Sequence, residues 1–265
     1  MTLKQKYGQL AIVAGASEGI GAAYSTRLAK EGMDLILIAR RKEPLEQLAS
    51  SLTKEYQVHV ECIQCDLSES GAAQRIKDAV LGRDVNLLVY NAAIPYIGPF
   101  EKSSLEHHNR MAFANMVTPM SMVQLFAGPM LEKGRGAIIL MSSMAGFQGS
   151  GLLTVYGATK AFNRVLGEGL WYEWKNRGVD VIACCAGATA TPNFIGSNPG
   201  KTGLFEPPVQ QPEEVVKECF QNLGKRPSFI SGGGNRLASF VMQKLLSRKM
   251  AINIMGDTTR KMYRL

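Results

Sequence analysis

From residue 9 to residue 230 the chain alternates short apolar runs with amphipathic stretches, and this alternation constrains its fold more than any other feature. Gln9 to Ala14 reads as a strand, Ile20 to Glu31 as a helix stopped by Gly32, Asp34 to Ala39 as a strand, and Pro44 to Tyr56 as a helix with Pro in its first turn. Strand Val58 to Cys65, helix Ser70 to Leu81, strand Val85 to Tyr90, a long helical region from Ser104 to Leu131 and strand Ala137 to Met141 continue the pattern. Helix Thr154 to Asn176, strand Val179 to Cys184, helix Pro212 to Leu223 and a short strand around Phe229 complete it. Strands separated by helices pair in parallel, and a parallel sheet is stable only with helices on both faces. The expected fold class is therefore α/β, a doubly wound parallel sheet in one domain spanning 1–265, with its ligand crevice at the carboxyl ends of the strands.

Two segments break the rhythm. Residues 189–211 carry four prolines and three glycines with little periodicity, which predicts a substrate loop or lid. Ser231 to Asn235, with three consecutive glycines, predicts a flexible joint into a terminal helix over Arg236 to Met250, part of a basic C-terminal helical tail, 235–265. Residues 225–265 hold nine Lys/Arg against one acid, Asp257, and so carry the whole net charge of +8. A solvated amphipathic helix, a membrane-surface contact, and a cover over an active site or partner subunit compete to explain that tail, with Leu237, Phe240, Val241 and Leu245 at helical spacing as its expected packed side.

Other classes find little support. No apolar run is long enough for an integral membrane segment, and Met1 to Tyr7 has no apolar core of a secretion signal, so a cytoplasmic address is expected. Five cysteines without an export signal predict reduced thiols, and Cys62 and Cys65, three apart on a strand, face opposite ways. No metal is expected. His107 and His108 read as the solvated start of a helix. With the basic charge confined to the tail, no nucleic-acid partner is expected.

The first strand runs into Ala14-Gly15-Ala16-Ser17-Glu18-Gly19-Ile20-Gly21 and directly into a helix. Glycines there let the backbone turn sharply and approach a pyrophosphate, which the free N–H groups at the helix start welcome. At the end of the second strand, where a dinucleotide site reads the adenosine ribose, stand Arg40, Arg41 and Lys42. A guanidinium grips a 2′-phosphate, so NADP(H) is the expected cofactor; Glu18 is the one carboxylate placed to oppose it.

Tyr156 and Lys160 open the helix after the fifth strand at i, i+4 spacing, which puts phenol and ammonium on one face. A cation beside a phenol lowers its pKa, as a general acid/base requires. Ser143, just beyond the fifth strand, can donate to a substrate oxygen as it gains negative charge. Asn115, in apolar surroundings, needs partners and can hold a water against Lys160.

These residues, in this order and spacing, resemble the short-chain dehydrogenase/reductase family over nearly the whole chain. The resemblance implies a Rossmann fold, an oxidoreductase acting on a carbonyl/alcohol pair, and a homodimer or homotetramer. It implies Tyr156 as acid/base, Ser143 orienting the carbonyl, Lys160 binding ribose, and Asn115 maintaining a relay water. It also implies cofactor contacts from Gly15, Ser17, Glu18, Gly19, Ile20, Gly21, Arg40, Arg41, Asp66 and Leu67, and from Asn91, Ala92, Tyr156, Lys160, Thr189 and Thr191. Two departures stand out: Ala93 where the family has Gly after Asn-Ala, and Ala186-Gly187 where it has Pro-Gly. Within the family the chain is similar to bacterial NADP-dependent hydroxysteroid dehydrogenases of the 7β type. A hydroxysteroid or other bulky apolar ketone is the expected substrate, in contact with Ser143, Met144, Tyr156 and Phe194, with Phe147, Leu152, Leu153 and Ile195 as further lining. A 3-oxoacyl thioester reductase and a noncatalytic NADPH-binding regulator are the alternatives, since fold and motif do not specify what lies beyond the carbonyl.

Overall fold

The computed structural model describes residues 1–200 and 208–265; 201–207, inside the predicted substrate loop, lie outside the described residues. The strands are β1 (Leu10–Ala14), β2 (Asp34–Ala39), β3 (Val60–Gln64), β4 (Val85–Tyr90), β5 (Gly136–Ser143), β6 (Val179–Ala186) and β7 (Ser228–Ile230). They form one sheet in the order β3-β2-β1-β4-β5-β6-β7, with every pair parallel. The helices are α1 (Leu3–Tyr7), α2 (Gly19–Lys30), α3 (Lys42–Tyr56), α4 (Ala72–Ala79), α5 (Leu105–Ala112), α6 (Thr118–Lys133), α7 (Thr154–Trp174), α8 (Pro192–Gly196), α9 (Pro212–Asn222), α10 (Gly233–Phe240) and α11 (Arg248–Tyr263).

Successive strand residues point to opposite faces, and each face has its own core. Val13, Leu35 and Leu37 meet Tyr24 of α2, Leu45 of α3 and Val215 of α9. Ile12, Ile36 and Leu88 meet Ile76 of α4, Phe126 of α6 and Trp174 of α7. This double coverage is why the strands read as unbroken apolar runs rather than alternating ones. The cysteines follow the same rule: Cys62 packs on the first core, Cys65 lies in the second, and all five thiols are free. From β1 the chain steps outward through β2 to β3, then returns to the other side of β1 as β4. Loops diverge at that reversal, so a crevice opens beyond the carboxyl ends of β1 and β4.

Five expectations need correction. The helical region after Ser104 is interrupted at Phe113–Val117 by a single π turn, a local widening that recurs at functional sites. Ser231 to Asn235 is a hydrogen-bonded elbow, with Gly232 at φ +82°, Asn235 buried and its Nδ2 donating to the Ser231 carbonyl at 2.9 Å. The tail is two helices, broken at Leu246 and Ser247, where Ser247 caps α11 by accepting from the Met250 N–H. Most of its expected packed side is outside: Leu237, Phe240 and Leu245 are exposed and Val241 is half-buried, while Asn235 and Ser239 of α10 and Ala251 and Thr259 of α11 are buried. His107 and His108 are likewise half-buried, against Tyr96 and Phe100, rather than solvated.

Candidate active site

The turn between β1 and α2 is built for close approach to its N–H groups. Gly15 sits at φ +80° and donates to the Ile38 carbonyl at 2.8 Å; Gly19 sits at φ +56° beside Thr191. At Gly21 any Cβ would collide with the Gly15 carbonyl oxygen, so the helix starts there only with glycine. Glu18 is the N-cap but its side chain makes no capping bond, and the first N–H groups of α2 keep their donor capacity. Ser17 is half-buried in this turn, while Ile20 packs into the first core. Asn91 braces the turn from β4, donating from Nδ2 to the Gly15 carbonyl at 2.9 Å, and the Ala92 N–H bonds Ala14 at 3.0 Å. These two residues shape the cradle.

Charges flank this cradle. Arg41 pairs with Glu18 at 2.5 Å, so the carboxylate expected to repel a phosphate is already neutralised. Arg40, exposed at the end of β2, has no ion-pair partner among the described residues. Asp66 follows β3 and accepts from the Ser68 N–H and hydroxyl on Oδ1, and from Arg110 on Oδ2. Burial pushes this carboxyl up, but the Ser68 hydrogen bonds and the Arg110 and Arg40 charges outweigh it and hold the group below the ordinary carboxylate value. Leu67 is buried and its carbonyl accepts from Thr118 at 2.8 Å.

At the carboxyl end of β5 the remaining candidates converge. Ser143 ends the strand, its Oγ accepting from the Ala145 N–H at 3.2 Å, and Tyr156 stands in the first turn of α7. Burial pushes the Tyr156 phenol up to about 12, with the Ser143 side chain lowering it and Tyr263 of α11 raising it, so the phenol stands above its ordinary value and not below it as the neighbouring cation predicts. Lys160, one turn on, is buried, its Nζ 5.7 Å from the Tyr156 ring centroid and donating to the Met141 carbonyl at 3.0 Å. Burial lowers this ammonium to about 8, against small opposing effects of Cys185 and Cys184. The π turn presents Asn115, whose Oδ1 accepts from the Ile94 N–H at 2.8 Å while Nδ2 donates to the Ile94 carbonyl and Thr159 Oγ1. Those three bonds fix the loop after β4 to α7.

The expected substrate-lining residues lie in segments 144–153 and 189–200. Met144, Phe147, Leu152, Leu153 and Phe194 are partly exposed, and Ile195 is largely exposed. Thr189 is buried and bonds the Gly187 carbonyl, while Thr191 caps α8 by accepting from the Phe194 N–H. Helix α11 contacts both segments. Arg248 donates to the Phe147 carbonyl at 3.0 Å, Gly256 packs on Gly151, the Gly200 N–H bonds Met262 at 2.7 Å, and Ser197 lies 3.5 Å from the Tyr263 hydroxyl. Sequence reasoning did not single out Arg110 or Tyr263, because neither stands at a recognisable spacing from the groups it meets.

A doubly wound sheet with a glycine cradle at its reversal and a Ser, Tyr and Lys at the adjoining strand end defines a nicotinamide-type oxidoreductase site. The model of the short chain dehydrogenase family matches residues 9–201. A 7beta-hydroxysteroid dehydrogenase of Clostridium sardiniense is 36% identical over 236 residues, 89% of this chain and 90% of that protein. A solved structure from a study of 7beta-hydroxysteroid dehydrogenase stereoselectivity superposes with a TM-score of 0.89 at 32% identity, covering 96% of this chain and 99% of the other. A short-chain dehydrogenase from Sphingobium yanoikuyae in complex with NADPH gives a TM-score of 0.75 at 30% identity, covering 84% and 87%. The chain belongs to the short-chain dehydrogenase family, and it is an NAD(P)-dependent oxidoreductase acting on CH–OH groups.

Proposed function

We propose that the protein interconverts a ketone and a secondary alcohol with NADP(H), and that its substrate is a bulky apolar ketone of the hydroxysteroid class. The observation that carries this is the meeting of Ser143, Tyr156 and Lys160 at the carboxyl end of β5, beside the glycine cradle. When bound, the nicotinamide supplies or takes up the hydride. In reduction Ser143 donates a hydrogen bond to the ketone oxygen and Tyr156 gives it the phenolic proton, leaving a phenolate. The Lys160 ammonium, 5.7 Å from the ring centroid, supplies a positive charge that favours the phenolate. Oxidation runs the same steps backward, with the phenolate taking the hydroxyl proton.

Residues Gly15, Gly19 and Gly21 with the uncapped start of α2 fit a pyrophosphate, and unpaired Arg40 fits a 2′-phosphate. For the substrate, apolar Met144, Leu152 and Phe194 and the α11 strap favour a large rigid ketone, as does the similarity to proteins named 7beta-hydroxysteroid dehydrogenases. Turnover of an oxosteroid panel beside a short 3-oxoacyl thioester, with NADPH and with NADH, tests the reading. The expected result is oxosteroid reduction with NADPH, lost by about 10²-fold or more in Tyr156→Phe with NADPH binding retained. Preference for the thioester overturns the substrate class, and an active Tyr156→Phe enzyme overturns the acid/base assignment.

A further inference from the structure

The adenosine end of the proposed NADP(H) site holds two carboxylates and three arginines, and their pairing is selective. β2 and β3 run side by side with Ala39 opposite Gln64, and the Gln64 side chain bonds the Arg40 carbonyl at 3.2 Å. Arg40 and Asp66 therefore leave neighbouring strands one residue apart in register. Left to themselves they would pair, since an exposed guanidinium and a carboxylate on adjacent strand ends attract one another. No ion pair joins them among the described residues, although the Arg40 charge reaches Asp66; the direct bonds to that carboxylate come from Arg110 and Ser68. Arg110 reaches over from α5, donating from Nη2 to Asp66 Oδ2 at 3.1 Å and from Nε to Ser68 Oγ at 3.2 Å. Ser68 in turn donates to Asp66 Oδ1 at 2.7 Å, closing a three-residue ring. Glu18 is removed in the same way by Arg41. Of the three arginines Arg40 alone lacks an ion-pair partner among the described residues.

We propose that Arg110 is a specificity-determining positioning residue: by holding Asp66 in the ring with Ser68, it keeps Arg40 available for the 2′-phosphate. The inference rests on the NADP(H) reading above. It assigns the selectivity to a residue that itself touches no phosphate. The planar fork is what the ring requires, since one group must bridge a carboxylate and a hydroxyl in fixed directions; a lysine supplies the charge but not the second, directed bond. Without Arg110 the Asp66 carboxylate turns to Arg40. That both occupies the phosphate's partner and adds a negative charge beside it.

The test compares NADPH and NADH dissociation constants, by titration of nucleotide fluorescence, for the full-length wild type, Arg40→Ala, Arg110→Gln, and Arg110→Gln combined with Asp66→Asn. Arg110→Gln is expected to lower the NADPH:NADH preference by about two- to fivefold, the range a partly exposed charge pair supplies. Adding Asp66→Asn restores the ratio, because a neutral amide neither captures Arg40 nor repels a phosphate. If Arg110→Gln leaves the ratio unchanged while Arg40→Ala collapses it, Arg110 is only structural and the proposal is overturned. If the ratio falls but Asp66→Asn does not restore it, Arg110 acts by some route other than Asp66 and the proposal also fails. If Arg40→Ala leaves the ratio unchanged, the NADP(H) reading itself has failed and this inference falls with it.

Discussion

Lys160 should make the cofactor-free protein less stable than it need be. Its ammonium is buried with one protein acceptor, the Met141 carbonyl, and its pKa is lowered from 10.5 to about 8. Such a displacement corresponds to about 3 kcal/mol of disfavour for the charged form in the folded state. Below pH 8 both folded and unfolded chains carry the proton and the whole penalty is present. Between pH 8 and 10.5 the unfolded chain holds more protons than the folded one, so stability rises with pH and the penalty fades. Lys160→Met removes the charge and keeps most of the volume, but forfeits the Met141 hydrogen bond, worth about 1 kcal/mol. The variant should therefore be more stable than wild type by about 2 kcal/mol at pH 7, with the advantage gone near pH 10. Urea unfolding of both apoproteins at the two pH values measures this, and saturating NADPH should reverse the order by stabilising only the wild type. A variant less stable at pH 7, or a gain that does not change with pH, refutes the reasoning.

Gly21→Ala should weaken NADPH binding by more than about tenfold, because a Cβ there strikes the Gly15 carbonyl oxygen and must reshape the cradle; unchanged affinity in a fluorescence titration would count against it. Asn115→Leu strips both Ile94 backbone groups of their partners in a buried place and should cost about 2–4 kcal/mol in chemical denaturation. Deleting 248–265 removes the α11 strap across both expected substrate-lining segments and should raise KM for a bulky ketone while leaving the NADPH dissociation constant within about twofold. Equal KM values in the full and shortened proteins would reduce α11 to an appendage.

Much of this was legible in the sequence where a local rule has one outcome. A run such as Leu35 to Ala39 between two amphipathic helices has no stable place except a twice-covered parallel strand. The glycine turn, Ser143, and the Tyr156 and Lys160 pair were readable because their spacing places them at strand ends whatever else the chain does. Long-range choice of partners was not readable. Nothing local distinguishes Arg110 from any other exposed helical arginine, and its partner lies 44 residues away across the crevice. In the tail the apolar spacing of Leu237, Phe240 and Leu245 pointed to a packed face that is in fact exposed. There packing is decided by small residues, Gly256 on Gly151, and by polar groups with specific partners, such as Asn235 on Ser231. A hydrophobic period does not record either.

The two ends of the sheet are finished differently, and the difference follows function. At the amino ends the polar groups are closed by protein partners. Asp180 at the start of β6 takes both Lys6 and Tyr7, Asp34 at the start of β2 takes Gln9, Arg83 pairs with Glu61, and Lys133 pairs with Asp84 just before β4. At the carboxyl ends several groups lack them. Among the described residues Arg40 has no acid, the cap of α2 has no side-chain acceptor, Lys160 has a single carbonyl, and Asn163 beside it has a buried Oδ1 with no protein partner. Each is a donor, acceptor or charge without a charged or capping protein partner, and all lie around the crevice at β1, β2, β4 and β5. A chain selected only for stability would close them as it closed the other end. A chain whose folded state is completed by a nicotinamide dinucleotide leaves them open, and recovers the deficit when that ligand binds.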